Sequence, residues 1–254
     1  MRPRSAIRRS VETYYAPGRA AALDGFLGRF LGAGELGFDV GSHVGDRAAS
    51  FRRLGARAVA VEPQPALLRV LRRCFRGDPG VVLVGALVGA EAGEAVLRLN
   101  TRNPTVATAS GAFVAAAEGA AAKGLTGWEG QVWDREVARP VTTLDALAAT
   151  HGVPDFVKID VEGFEAEALA GLSVAPRSVS FEFTTIQRGV AGACLARLAS
   201  LGPYRFNAAL GEGMALALPA PVDAAAMRDW IEALPHAANS GDVYASLDAA
   251  RVSP

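Results

Sequence analysis

The strongest constraint on this chain is a repeated switch between two periodicities. From Gly34 to Leu201, short apolar runs of strand character alternate with segments whose apolar residues recur at helical spacing. Such alternation predicts an α/β fold: a mostly parallel, doubly wound sheet with helices on both faces. Strands are expected at Leu36–Val40, Arg57–Glu62, Val81–Val84, Phe156–Val161 and Ser178–Phe183. Val81–Val84 is an uninterrupted apolar run, as in a strand covered on both faces. Helices are expected at Asp46–Leu54, at Gly163–Ala170 and at Val190–Leu201. Another should open at Pro63 and present Leu67, Leu68, Val70 and Leu71 as its apolar face.

Elsewhere the rhythm changes. Gly89–Gly93 reads as a hairpin turn into Ala95–Leu99. Residues 100–136 are rich in Ala, Gly and Thr, carry Trp128 and Trp133, and form a lid or a partly helical insertion. A strand at Val137–Val141 follows, with Thr142-x-x-Asp145 as a helix start. Beyond Leu201 lie strand candidates Tyr204–Leu210, Met214–Leu218 and Val243–Leu247, and a helix near Ala224–Leu234. One of these strands is expected to complete the sheet in antiparallel orientation.

Composition removes several function classes. Lys plus Arg and Asp plus Glu both total 26, so no global field favours nucleic acid or an anionic membrane. The longest apolar stretch, Val81–Ala90, is too short and too glycine-interrupted to cross a bilayer. Met1–Ser10 holds four arginines with no apolar region behind them, which reads as a solvated basic tail and not as a signal peptide. Cys74 and Cys194 are far apart, lack a CxxC or Cys/His ligand spacing and are expected to be reduced core residues, in keeping with a cytoplasmic location.

Asp39-Val40-Gly41-Ser42-His43-Val44-Gly45-Asp46 sits where the first strand turns into a helix. Glycines there allow a sharp turn and close approach of a ligand to the main chain. A dinucleotide fingerprint would need glycine at His43 and Asp46, and Asp39 and Asp46 would repel its phosphates. S-adenosylmethionine reverses that requirement, since it has no phosphate and carries an ammonium and a sulfonium that acids attract. Glu62, about twenty residues past Gly41 at the end of the second strand, stands where a carboxylate accepts both ribose hydroxyls. Each such bond is worth about 1.5–3 kcal/mol. A helix-start acid offsetting the dipole is the plainer role for the same residue. Pro63, Ala86 and Leu87 complete the expected cofactor site with Asp39, Gly41, Ser42, His43, Gly45 and Glu62.

Four segments together resemble the FkbM-type methyltransferase family: Phe38–Gly45, Val61-Glu62-Pro63, Val141–Leu147 and, most distinctively, Val157-Lys158-Ile159-Asp160-Val161-Glu162-Gly163-Phe164-Glu165. The resemblance runs from Phe38 to about Phe183. It implies a class I, Rossmann-like methyltransferase fold and S-adenosylmethionine as donor, most characterised members being O-methyltransferases. His43 stands where the family usually has Asn. On this basis residues 1–254 form one methyltransferase domain, with an N-terminal helical segment (1–33), a cofactor-binding half (34–99), the insertion (100–136) and a catalytic half with C-terminal segment (137–254).

Methyl transfer to a hydroxyl is an in-line displacement, so the enzyme must align the nucleophile and take its proton. Lys158, Asp160 and Glu162 alternate along one apolar strand and should share a face at its carboxyl end. They form either the reaction centre, with Asp160 as first choice of base, or a structural ion network. Glu182 ends the next strand and would pair with Lys158. His151 reads as a helix C-terminal cap and His236 as a surface residue; Trp128 and Trp133 either pack the insertion or stack on a sugar. No metal is expected, because no His/Cys cluster exists and Lys158 opposes a cation at Asp160. The acceptor expected is a small molecule, natural product or glycan. An N-methyltransferase is disfavoured, because its Asn-Pro-Pro-aromatic run is replaced by Ile159–Glu162. A non-catalytic binding module would have no use for the Lys158–Glu162 run.

Overall fold

The computed structural model describes residues 5–254. Among them are ten strands, mostly separated by helices: β1 (Leu36–Val40), β2 (Arg57–Val61), β3 (Val81–Val84), β4 (Leu87–Val88), β5 (Gly93–Leu99), β6 (Arg135–Thr142), β7 (Phe156–Ile159), β8 (Ser178–Thr184), β9 (Arg205–Leu210) and β10 (Ser240–Ser246). Seven of them make one sheet in the order β3-β2-β1-β7-β8-β10-β9; the others make a small sheet, β4-β6-β5. Within the large sheet β10 runs antiparallel to both of its neighbours, and the remaining pairs are parallel.

The helices are α1 (Ala6–Tyr14), α2 (Arg19–Leu27), α3 (Asp46–Arg53), α4 (Pro65–Cys74), α5 (Gly111–Ala122), α6 (Leu144–His151), α7 (Glu165–Ala170), α8 (Arg188–Leu201) and α9 (Ala224–Ala233). All five residues of β1 are buried, as a central strand between two apolar layers requires. On one face Phe38, Val40, Ile159 and Phe181 pack with residues of α6, α7, α8 and α9. On the other, Ala58, Ala60 and Phe156 meet Leu27, Phe30 and Phe51 from the α2–α3 side. This double cover is what the alternating periodicity encodes.

Several sequence expectations change in detail. Pro65, not Pro63, opens α4, and Val70 stays outside its buried face of Leu67, Leu68 and Leu71. β3 lies at the sheet edge with Val82 39% exposed, so the apolar run reflects strand preference and half-cover. Gly89–Gly93 is no two-strand hairpin, because β6 inserts between β4 and β5. Thr143 caps α6 by accepting from the Ala146 amide at 3.0 Å, one residue after the expected Thr142. Met214–Leu218 forms no strand, and of the two cysteines expected in the core Cys194 is buried while Cys74 is exposed at the end of α4. Of the basic segment, residues 1–4 lie outside the described residues, while Ala6–Ser10 is helical and not a free tail. Residues 100–136 hold a 3-10 turn, α5 and a small core of Val106, Phe113, Ala117, Ala120 and Trp128. Both tryptophans pack this insertion: Trp128 sits edge-on to Phe113, and the Trp133 indole donates to the Val106 carbonyl at 2.8 Å. Among the described residues no helix is long and apolar enough to cross a membrane.

Candidate active site

Strand order reverses between β1 and β7, and the chain leaves both strands there, opening a crevice at their carboxyl ends. A cavity occupies this position, where open α/β sheets hold their ligands. Of the residues expected from the sequence, Gly41, His43, Glu62, Pro63, Ala86, Leu87, Asp160, Glu162 and Glu182 line it. Asp39, Ser42, Gly45 and Lys158 do not.

Each residue outside the lining has a supporting task. The Asp39 carboxylate is buried behind the loop and accepts from the Ala48 amide at 3.2 Å, satisfying a free N–H in the first turn of α3. It therefore faces the helix, not a ligand, and burial raises its pKa to about 6. The Ser42 hydroxyl donates to the Asp39 carbonyl at 2.6 Å. Gly45, with φ of +83°, has no room for a side chain because a Cβ would press into Leu71 and Phe75. At Gly41, which does line the cavity, a Cβ would overlap the Asp160 carbonyl oxygen, so that glycine lets β1 and β7 exit side by side.

Glu62 is 2% exposed and accepts from the His43 amide at 2.8 Å and the Gln64 amide at 2.7 Å. A carboxylate offers about four acceptor sites, so two remain for a ligand. Burial raises its pKa to about 8 despite those amides. Above it the His43 side chain meets the Tyr14 ring edge-on at 5.3 Å. Among the described residues its buried Nε2 has no hydrogen-bond partner, and burial lowers its pKa to about 4, leaving the ring neutral at pH 7. Pro63, Ala86, Leu87, Val88 and Leu97 supply an apolar wall.

The acids gather opposite. β7 ends at Ile159 and Glu162 adopts a left-handed φ of +56°, so simple strand alternation does not bring Asp160 and Glu162 together. The turn does so instead: carboxylate oxygens of Asp160, Glu162 and Glu182 come within 4.8 Å of one another. Lys158, 1% exposed, does not pair with Glu182 as expected. Its ammonium donates to Asp242 on β10 at 2.7 Å and to Asp160 at 3.4 Å, passing Ser180, which lies in register beside it. Burial pushes the Asp160 pKa up, but Lys158 and Arg47 outweigh it and hold the group low. Glu162 and Glu182 lie instead well above the usual range, first through burial and then through repulsion by neighbouring carboxylates. Lys158 stands beside Asp160, where its charge opposes a cation; its bonds to Asp242 and Asp160 leave Glu162 and Glu182 to share a proton between themselves.

Several lining residues escaped the sequence reading, and four of them carry polar groups into the site from separate elements. Tyr14 comes from α1, Arg47 from α3, Glu212 from the turn after β9 and Thr105 from the insertion. The Tyr14 hydroxyl donates to Glu212 at 3.2 Å, and Arg19 pairs with Glu212 at 2.6 Å. Gln64 donates to the Pro104 carbonyl at 2.9 Å, and the Thr108 hydroxyl to the Glu162 carbonyl at 2.7 Å, fastening the insertion across the site. Asp242 was missed as the partner of Lys158. Glu212 follows β9, which runs in the same direction as β1 and β7, and Asp242 lies near the start of the oppositely directed β10, so both fall at the carboxyl edge of the sheet, a signal readable only once strand directions are known.

The order and direction of the seven strands, with a cavity at the switch point, are those of the class I, Rossmann-like methyltransferase fold. Residues 39–234 match the Methyltransferase FkbM domain, and the chain belongs to the FkbM methyltransferase family. A crystal structure of Methyltransferase FkbM from Methylobacillus flagellatus is 14% identical, with a TM-score of 0.49 over 84% of this chain and 43% of that one. This chain thus spans less than half of that protein's length. An O-methyltransferase from Bacillus cereus, in complex with SAH, is 12% identical, with a TM-score of 0.43 over 98% of this chain and 93% of that one. No curated protein shows significant similarity to the chain.

Proposed function

We propose that the protein is an S-adenosylmethionine-dependent O-methyltransferase acting on a hydroxyl of a small molecule, natural product or glycan. The charge pattern of the cavity carries this reading. Glu62, Asp160, Glu162, Glu182 and Glu212 line it against, among the described residues, one guanidinium, that of Arg47. Burial keeps part of these acids protonated in the unliganded site; a cationic ligand favours their ionised forms and is favoured in turn, whereas a pyrophosphate gains nothing from them. The two spare acceptor sites of Glu62 suit a ribose, the apolar wall of Pro63, Ala86, Leu87 and Val88 suits an adenine, and the unpartnered His43 Nε2 awaits a polar group.

Bound S-adenosylmethionine supplies an activated methyl group with a neutral leaving thioether. The chain's part is to orient the acceptor and remove its proton. Asp160, stabilised as an anion by Lys158 and Arg47, makes a poor base. The Glu162–Glu182 pair suits that task better: sharing one proton, it presents one carboxylate of raised basicity to a hydroxyl.

Calorimetry with S-adenosylmethionine, S-adenosylhomocysteine and NAD tests the donor. The first two should bind at about micromolar Kd and NAD should not; preference for NAD would end this reading. For the base, Glu162→Gln and Glu182→Gln should each slow single-turnover transfer to a hydroxylated acceptor, by about 10²–10⁴-fold for the residue that takes the proton. Donor affinity should be retained. Full rates in both variants would move the base elsewhere.

A further inference from the structure

We infer that Arg47 is the seat of the donor's α-carboxylate, an assignment that rests on the proposed S-adenosylmethionine reading. The donor bears one negative group beside its ammonium and sulfonium, and that group needs a cation. Among the described residues Arg47 is the one Lys or Arg lining the cavity. Lys158 lies behind it, fully buried and hydrogen-bonded to Asp242 and Asp160.

Arg47 is held but not consumed. Its guanidinium lies 3.8 Å from Asp160, 3.9 Å from Glu212, 4.0 Å from Asp242 and 4.0 Å from Asp46. All four distances exceed hydrogen-bonding range, so the acids fix the position of the charge without occupying its N–H fork. Five donors in a plane match a carboxylate in bidentate fashion. The side chain is only 17% exposed, so a carboxylate paired there is shielded from bulk water. Arg47 is also the second residue of α3, whose N-terminal dipole adds to the attraction for an anion. The nearby acids are placed for the rest of the ligand: Asp160 next to the guanidinium can take an ammonium on the same amino-acid group.

A thermodynamic cycle tests this with the full chain, two ligands and three forms of the protein. S-adenosylmethionine and its decarboxylated analogue, which keeps the ammonium and sulfonium, are titrated into wild type, Arg47→Gln and Arg47→Lys. Wild type should prefer the carboxylated ligand. Arg47→Gln should lose roughly 10- to 100-fold affinity for it while changing little toward the analogue, and Arg47→Lys should fall between. Melting temperatures of the unliganded forms, together with the unchanged analogue affinity, separate this from a general loss of structure. Equal losses for both ligands, or none for S-adenosylmethionine, would overturn the assignment while leaving the donor reading intact. If wild type bound neither ligand, both would fall.

Discussion

Glu62 ties the sequence motif to a measurable proton. Its two backbone acceptances brace the loop at His43 and the start of α4 at Gln64, so the residue has a structural role beside any ligand it holds. Burial raises its pKa from 4.5 to about 8, so folding favours the protonated form. Its contribution to the stability of the unliganded protein therefore declines as pH rises from about 4.5 to about 8. Ribose hydroxyls donate to the ionised carboxylate, so donor binding should release a proton in that window. Affinity for S-adenosylhomocysteine should rise between pH 6 and 8, by at most about tenfold per pH unit, and level off above. Calorimetry in buffers of different ionisation enthalpy reads the released proton directly. Glu62→Gln should flatten the slope, and an unchanged slope in that variant would assign the proton to another group.

At the level of elements, the Lys158–Asp242 pair joins β7 to β10 across β8 and sets the electrostatics of the site behind Asp160. Breaking a buried pair strands a charge, so Lys158→Met should destabilise the fold by about 3–5 kcal/mol in urea unfolding. Adding Asp242→Leu should recover much of the loss, because two apolar groups replace the pair. A single variant as stable as wild type would mean that desolvation already cancels the attraction. This pair also marks how far the sequence could be read. Runs such as Leu36–Val40 and Phe156–Ile159 announce themselves because core strands must be apolar, and the Lys-x-Asp-x-Glu run stands out against that background. Which carboxylate meets Lys158 depends instead on the placement of β10, some eighty residues later, and no local pattern encodes a neighbour that remote. The glycines of the Gly41–Gly45 loop were legible as turn residues, and both take a left-handed φ; the packing against Asp160, Leu71 and Phe75 that also demands them exists only after folding.

For the whole molecule, a net formal charge of zero conceals a cavity that gathers five acidic side chains and, among the described residues, one guanidinium, so global composition does not report the make-up of the site. The cavity is also assembled from distant parts of the chain. α1 lies outside the matched family domain, yet its Tyr14 lines the site, contacts His43 and bonds Glu212. The next residue, Tyr15, donates to the Val44 carbonyl at 3.1 Å, and Arg9 to the Arg102 carbonyl at 3.0 Å. Within the helix only Ser10 is buried, so α1 is held by these polar ties more than by a core. Such an element opens at low cost. If it covers the donor, saturating S-adenosylhomocysteine should slow amide exchange across residues 6–14 together with the loop at 41–47. At free ligand about 100 times Kd the limit is about 2.7 kcal/mol, or roughly 100-fold slower exchange, reached if opening α1 abolishes binding. Hydrogen-exchange mass spectrometry with and without ligand measures this. Tyr14→Ala, which removes the contact into the cavity, should weaken the coupling of α1 to the ligand while the 41–47 loop stays protected. Protection confined to 41–47 in the wild type would show that α1 packs beside the site without closing it.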